Sequence, residues 1–348
     1  MRHDEFIHIL RGERKPDGSY TPGMYIMEEE EYRAAPGLNW STIKNTLVSP
    51  EYAKYKERNP IKATAAMELG TLIHSAVLCP GTLDTEYFVP PEITQAGLVW
   101  EKGSRGWCAE FEGKTLGPYK TKKEAVEDFP NYSVGNLRFA KLAEAKKYIQ
   151  TIAGDRKVVS SFDHNNAVRI RDRLYNKDRV AMKLFNKERL INEAVFMWDD
   201  HVMLSCGETV SVRCKAKVDM WDVHESTVWD LKTTRDSSPH SFVKAILKYQ
   251  YHGQLAWYAD GISKMMDDMG IALASPSDFG VIAVEVNSPH QTCVMRLDDN
   301  FKRLARKCSR KALQLWVESD NSGEWSPRHN DVVVMSVPTW VKENEYEL

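Results

Sequence analysis

The chain has 348 residues, a formal net charge of −2 and a hydrophobic fraction of 42%. This length suits one large domain or two ordinary ones. The composition excludes disordered, collagen-like and low-complexity proteins. The near-neutral charge excludes a uniformly basic nucleic-acid coat, so any anion-binding site must be a local patch.

The first residues contain no apolar segment typical of a secretion signal, and no stretch approaches the ~20 apolar residues of a membrane helix. The six cysteines include no C-x-x-C pair. This spacing favours reduced thiols and argues against a structural zinc or an iron–sulfur cluster. We therefore expect a cytoplasmic protein with no membrane partner.

The N-terminal half is predicted to be loop-rich and then helical. Turn signals mark residues 1–37, and a helix with Ser41 at its N-cap is predicted to end before Ser49 and Pro50. A second helix is predicted near residues 64–78. Residues 91–135 combine glycines with charged and aromatic residues and are interpreted as an insertion, whereas a basic helical region follows over 136–190.

The C-terminal half changes to alternating hydrophobicity typical of strands. Three strands, a helix over 241–261 that ends at Asp260 and Gly261, two more strands and a basic helix over 301–316 are predicted. This order indicates a mixed α/β domain with its catalytic sheet core in residues 190–300. No linker separates two parts of the chain, so one domain over 1–348 is expected.

The strand over 211–221 has one apolar face and one charged face. Arg213, Lys215 and Lys217 form a row of cations on the charged face, and this row ends in Asp219. Solvated surface is the alternative for such cations.

The next strand places Asp230 and Lys232 on one face. Asp219 joins that face only if the connecting loop has an even number of residues, either 224–225 or 223–226. Two carboxylates and a lysine would then converge. The carboxylates are hard oxygen ligands, which suit Mg²⁺ or Mn²⁺. Surface salt bridges on an exposed hairpin are the alternative, but a carboxylate inside a core-like strand is costly without a partner.

The motifs and their order resemble a known nuclease superfamily. Asp219 followed by Asp230-Leu231-Lys232 resembles the PD-(D/E)XK motif, and the segments 70–74 and 254–258 are similar to the G-x-x-x-H and Q-x-x-x-Y motifs of RecB-like nucleases. Four further segments resemble the exonuclease VIII (RecE) nuclease domain of phages and prophages: PGMY at 22–25, LNWS at 38–41, SPEY at 49–52 and KYQYH at 248–252. The implied fold is α/β, a PD-(D/E)XK nuclease core with a mixed central β-sheet flanked by helices, an N-terminal helical elaboration and an insertion.

The resemblance implies a metal site. It makes Asp219 and Asp230 metal ligands, His74 a nitrogen ligand of the same metal and the carbonyl of Leu231 a further contact. Mg²⁺ keeps several waters, so one of them is available as the nucleophile. Lys232 would orient or deprotonate that water and offset charge on the phosphorus.

Other residues receive supporting roles with alternatives left open. Glu193 lies 26 residues before Asp219 and either binds metal or holds Lys232, with ion pairing outside catalysis as the alternative. Gln254 and Tyr258 occupy one helix face that would reach the active-site strand or DNA. The predicted DNA contacts are Ser41, Tyr251, Arg213, Lys215 and Lys217, and the cations of the last helix, Lys302, Arg303, Arg306, Lys307, Arg310 and Lys311, are further candidates.

The function implied by the resemblance is a Mg²⁺-dependent exodeoxyribonuclease. It would degrade one strand of linear double-stranded DNA processively from 5′ to 3′, as a ring-like homo-oligomer that works with a single-strand annealing protein in recombination. One alternative is a structure-specific or restriction-type endonuclease of the same superfamily. The other is a non-catalytic DNA-binding or phage assembly protein on a nuclease-like scaffold.

Overall fold

The computed structural model describes residues 3–95, 97–101, 105–111, 114–127, 132–139, 141–186, 190–271 and 275–337. The chain divides into two compact units. The first unit combines Met1–Thr64 with Asp178–Leu348, and the second unit is Ala65–Lys177. The single-domain organisation over 1–348 stays a prediction, because compactness does not decide whether each unit folds independently.

Helices and strands are numbered along the whole chain. The helices are α1 His3–Leu10, α2 Glu29–Ala34, α3 Trp40–Ile43, α4 Pro50–Arg58, α5 Ala65–Leu78, α6 Leu83–Glu86, α7 Lys122–Glu127, α8 Leu142–Ala153, α9 Ser161–Asn176, α10 Arg179–Phe185, α11 Pro239–Lys248, α12 Tyr251–Asp268 and α13 Asp299–Ser322. The strands are β1 Gly23–Tyr25, β2 Tyr87–Phe88, β3 Ile93–Gln95, β4 Gly97–Glu101, β5 Trp107–Phe111, β6 Lys114–Tyr119, β7 Tyr132–Val134, β8 Leu137–Phe139, β9 Lys157–Val158, β10 Leu190–Met203, β11 Thr209–Asp222, β12 Thr227–Thr234, β13 Asp278–Glu285 and β14 Thr292–Arg296.

The first unit is built on a six-stranded sheet in the order β1-β10-β11-β12-β13-β14. Neighbouring strands are antiparallel except β12 and β13, which are parallel and are joined through α11 and α12. A parallel pair requires such a crossover connection. The sheet is therefore mixed and mostly antiparallel, and the predicted α/β fold class is confirmed.

The two faces of this sheet have different coverings. On one face, α12 packs on β10 and β11 and also contacts α13, and the predicted apolar positions Cys214, Ala216 and Val218 lie in that core. On the other face, Val195 and Met197 pack against residues of the N-terminal segment, among them Tyr20, Met27 and Ala35. The alternation of the sequence therefore separates a helix-covered face from a face that carries the charged row.

The helix predicted over 241–261 is two helices. The helix is interrupted between α11 and α12, where Gln250 adopts φ +60°. The predicted end at Gly261 is also wrong, because α12 continues to Asp268. A Cβ at Gly261 would lie 2.5 Å from the ring of Trp198, so this glycine permits close packing of helix on sheet.

The N-cap of α3 also differs from the prediction. Asn39, not Ser41, accepts the Thr42 amide through its side chain, at 2.9 Å. Ser41 lies one residue inside the helix and donates its hydroxyl to Asn39 Oδ1 at 2.7 Å.

The second unit contains α5, which matches the helix predicted near residues 64–78. The segment predicted to be an insertion carries most of two small antiparallel sheets, β3-β7-β8 and β4-β5-β6. Val134, Ala145 and Ile149 form a small buried cluster in the second unit. In neither unit, over the ranges given above, does a helix have the length and apolar character needed to cross a bilayer.

Replacement of Gly261 by alanine should destabilise the protein. The methyl group would overlap the Trp198 ring, and overpacking of about 1–3 kcal/mol outweighs the ~0.5–1 kcal/mol that alanine gains over glycine in a helix. Urea unfolding of Gly261→Ala should show a lower midpoint. Ser263→Ala on the same helix is the control, and equal midpoints for the two variants would contradict the packing role.

Candidate functional site

The register of β11 and β12 brings Asp219 and Asp230 together. Met220 pairs with Trp229, and four residues, 223–226, connect the strands, which is one of the two even loops predicted. Asp219 Oδ2 accepts the Leu231 amide at 2.8 Å. The Asp230 carboxyl is near enough to Asp219 to affect the pKa of Asp219. The two carboxylates therefore share one face, as the sequence predicts.

Glu193 supplies a third carboxylate from β10. It lies between the pairs Asn192–Met220 and Ala194–Val218, so its register position faces Asp219. One carboxylate oxygen of Glu193 and one of Asp219 lie within 4.8 Å of each other. Glu193 adopts φ +52°, a left-handed conformation that costs a non-glycine residue about 1–2 kcal/mol.

The same point marks a change in strand alternation. On β10, Ala194 and Phe196 alternate into the helix-covered core after Glu193. Before Glu193, the nearest core residue is Ile191, which does not continue that alternation. On β11, Val218 is followed in that core by Trp221. Both strands thus shift by one residue where the carboxylates meet. Backbone strain of this kind persists where the surrounding structure enforces it, and it concentrates at functional sites.

Lys232 lies beside these carboxylates. Its Nζ is 2.6 Å from Asp230 Oδ2 and 4.9 Å from the centroid of the Tyr251 ring. Burial lowers the pKa of Lys232, but the charges of Asp230 and Asp219 outweigh burial and raise it above the usual value. The side chain is therefore an ammonium, held by a carboxylate on one side and an aromatic face on the other.

The Gln254 and Tyr258 side chains form the predicted pair on α12. Gln254 Nε2 donates to the Tyr258 hydroxyl at 2.6 Å. Burial, followed by the negative charges of Asp219 and Asp230, raises the pKa of Tyr258 well above its usual value. A neutral phenol therefore adjoins the carboxylates. Contact of either side chain with DNA remains a prediction.

Arg213 and Lys217 contact carboxylates of the first unit itself. The Arg213 guanidinium holds Asp199 through Nε at 2.7 Å and Nη2 at 3.0 Å, and it also donates to the Tyr20 carbonyl. Lys217 Nζ lies 2.9 Å from Glu193 and 3.4 Å from Glu29. These pairs give both cations intramolecular partners, and their contact with DNA phosphates stays a prediction.

Lys215 has a structural role that differs from the predicted one. Its side chain is buried, and its ammonium donates to the carbonyls of Tyr32 at 2.7 Å, Arg33 at 3.4 Å and Ala35. These carbonyls lie at the C-terminus of α2, where a cation is favoured. A buried lysine with these partners is not available to a DNA backbone, which corrects the prediction for this position.

Several cations of α13 also pair with acidic residues. Lys302 Nζ lies 3.1 Å from Asp278, Arg306 Nε lies 3.0 Å from Asp260, and Arg310 Nη1 lies 2.7 Å from Asp200. The predicted basic helix is thus anchored to the sheet and to α12.

The donor set fits a divalent cation. Burial, with the charge of Glu193 adding to it and that of Lys232 opposing it, raises the pKa of Asp219 to about 6. Three clustered carboxylates repel one another, and a hard cation with oxygen ligands removes that repulsion. Mg²⁺ and Mn²⁺ both suit such ligands, and the residues do not distinguish them.

His74 lies in the second unit, on α5. It is half-buried and lies four residues after Gly70, so the two share a helix face. Its role as a nitrogen ligand stays a prediction.

Two residues near the site carry no local sequence signal. Lys44 is half-buried, and burial, followed by the charge of Lys232, lowers its pKa. Glu29 reaches Lys217 from the N-terminal segment. Neither lies in a motif, and only the tertiary fold brings them to the carboxylates.

A comparison with protein-family models assigns the chain to a family. A family model described as "PDDEXK-like domain of unknown function (DUF3799)" matches residues 39–331. The chain belongs to this family. Membership of the PDDEXK-like family places it in the PD-(D/E)XK superfamily and supports a hydrolytic nuclease as the class of protein.

Solved structures also resemble this PDDEXK-like chain. One of them is described as a "Putative exonuclease" from Eubacterium rectale, is 14% identical, and aligns over 90% of this chain and 97% of its own with a TM-score of 0.49. No curated protein matches.

Lys215→Met should lower stability and leave DNA affinity unchanged. Removal of the ammonium leaves the α2 carbonyls without their donor, which should cost about 1.5–3 kcal/mol in the free energy of unfolding. Urea unfolding measures the loss, with Lys307→Met on the exposed side of α13 as the control. A stable variant with weaker, less salt-sensitive DNA binding would restore the phosphate-contact role.

Proposed function

We propose that this protein is a metal-dependent deoxyribonuclease whose active site contains Glu193, Asp219, Asp230 and Lys232. The observation that carries the proposal is the convergence of three carboxylates and an ammonium on three neighbouring strands. Membership of the PDDEXK-like family supports it. A non-catalytic scaffold would gain nothing from this costly set of buried like charges.

Carboxylate oxygens of Asp219 and Asp230 hold the cation in this proposal, with Glu193 beside them and the Leu231 carbonyl as a further contact. His74 is added as a nitrogen ligand on the strength of the sequence resemblance. We assign Mg²⁺, with Mn²⁺ as a substitute. When bound, such a cation supplies charge stabilisation for the phosphate and acidifies a water molecule.

Lys232 acts on the same phosphate as a fixed positive charge. The Asp230 carboxylate and the Tyr251 ring hold its ammonium in place, so little reorganisation is needed during the reaction. It donates hydrogen bonds to the attacking water and offsets charge that develops on the phosphate oxygens. Tyr258, with Gln254 behind it, presents a neutral hydroxyl to the carboxylates.

The DNA contacts in this proposal come from cations that have no carboxylate partner. Lys44 is one of them, because it is half-buried beside Lys232 and its ammonium has no ion-pair partner among the residues that the structure describes. A DNA phosphate would supply the missing negative charge.

We further propose an exonuclease of the RecE type. It degrades one strand of linear double-stranded DNA processively from 5′ to 3′, in the cytoplasm of a bacterial cell, as a ring-shaped homo-oligomer that delivers single-stranded tails to an annealing protein. The support is the set of short segments at 22–25, 38–41, 49–52 and 248–252 that resemble that family, in matching order.

Asp230→Asn should abolish hydrolysis and retain DNA binding. The amide keeps the size of the side chain but removes a metal ligand and the partner of Lys232, so a loss of about 10³-fold or more is expected. Release of nucleotides from end-labelled duplex measures it. Asp222→Asn is the matched control, since this buried aspartate also lies on the sheet and accepts the Glu225 amide outside the carboxylate cluster. Full activity of Asp230→Asn would refute the assignment.

A covalently closed circular duplex should survive incubation that degrades the same DNA after linearisation. An exonuclease requires an end, whereas an endonuclease does not. Both reactions are run with Mg²⁺ and with EDTA, and only the linear sample with Mg²⁺ should lose label, starting at the 5′ end. Cleavage of the circle would leave the nuclease assignment intact and contradict the exonuclease.

A further inference from the structure

A small polar cavity lies on the helix-covered side of the sheet in the first unit, and none of the carboxylates Glu193, Asp219 and Asp230 lines it. Its volume is about 160 Å³. Residues of β10, α12 and α13 line it, chiefly Trp198, Asp200, Asp260, Lys264, Arg306 and Arg310. None of these has a role in the proposed nuclease reaction.

The charged groups of this cavity sum to a positive charge. Asp200, with a side chain only 6% exposed, accepts from Lys264 Nζ at 2.6 Å and Arg310 Nη1 at 2.7 Å, both on Oδ1. Asp260 accepts from Arg306 Nε at 3.0 Å. Three cations therefore face two carboxylates, an excess of one positive charge in a partly desolvated place.

Two residues of the cavity, Arg306 and Trp198, have donor groups without an acceptor among the described residues. Arg306 uses only Nε on Asp260, which leaves its two terminal amino groups without a hydrogen-bond partner there. The indole N–H of Trp198 is buried and likewise has none. The buried Trp198 donor costs about 1–3 kcal/mol without an acceptor. The amino groups of Arg306 are open to solvent and carry the positive charge that an anion would neutralise.

The size and the opening of the cavity limit the ligand. Pockets for drug-sized ligands occupy roughly 300–1,000 Å³, so this cavity suits one small ion and not a whole nucleotide. The side chains of Lys264, Arg306 and Arg310 are 38%, 42% and 46% exposed, so the cations lie at the mouth and solvent reaches them.

We propose that this cavity binds a tetrahedral oxyanion of the phosphate class, with Arg306 as its principal ligand. Arginine presents paired N–H groups that match two oxygens of such an anion. The oxyanion is either free phosphate or the terminal phosphate of an ester whose remainder stays in solvent. The site is independent of the nuclease proposal.

The test is titration of the full-length protein with inorganic phosphate in EDTA, at constant ionic strength with chloride as the balancing anion. The melting temperature should rise with phosphate concentration and not with chloride. Arg306→Gln should weaken phosphate binding by about tenfold or more. Arg303→Gln on the same helix, whose guanidinium contacts Asn300, is the matched control and should bind as the wild type does.

Asp260→Asn gives the sharper result because it acts in the opposite direction. Loss of this carboxylate frees Arg306 and raises the positive charge of the cavity, so phosphate affinity should increase several-fold. A purely structural ion-pair network predicts lower stability with no gain in affinity. Absence of phosphate binding by the wild type, equal binding by Arg306→Gln, or no gain in Asp260→Asn would each overturn the proposal.

A competition experiment distinguishes the two sources of the anion. If thymidine 5′-monophosphate displaces phosphate from the wild type, and Arg306→Gln does not bind the nucleotide at this cavity, the result supports a terminal phosphate group as the ligand. Phosphate binding that the nucleotide does not affect supports the free ion.

Discussion

The organisation of the first unit depends on holding three like charges together. Glu193, Asp219 and Asp230 come from three adjacent strands, and their mutual repulsion opposes the register that joins them. Two cations offset this repulsion, Lys232 at Asp230 and Lys217 at Glu193. The sheet pays a further cost in the left-handed backbone of Glu193. Such a cluster is reasonable where a divalent cation completes the charge balance.

The surrounding structure supports this cluster from both faces. On one face, α12 lies against the sheet so closely that Gly261 has no room for a side chain, and the same helix carries Tyr251, Gln254 and Tyr258. On the other face, the N-terminal segment is held by Lys215 through three backbone carbonyls. The row of cations that suggests a DNA contact in the sequence thus attaches part of the chain to the sheet.

The parts predictable from sequence are those that depend on local periodicity. The two-residue period of 228–232 gives the face shared by Asp230 and Lys232, and the even loop gives the register that brings Asp219 beside Asp230. These relations follow from strand geometry alone. The shift in alternation between Val218 and Trp221 is not predicted by the period of 211–221.

The structural features that the sequence does not predict depend on residues distant in the chain. Gly261 looks like a helix end until Trp198 is placed against it. Lys215 looks like a surface cation until the carbonyls of residues 32–35 surround it. The break at Gln250 and the approach of Lys44 to Lys232 likewise need the tertiary fold, since neither has a signal in its own segment.

Direct measurement of Mn²⁺ binding tests the central claim without relying on activity. Electron paramagnetic resonance of free Mn²⁺ in a titration with the wild-type protein should show saturable binding. Asp230→Asn should lose that binding, and Asp222→Asn should keep it. Equal Mn²⁺ binding by the wild type and Asp230→Asn, with both proteins folded, would contradict a cation site at the three carboxylates.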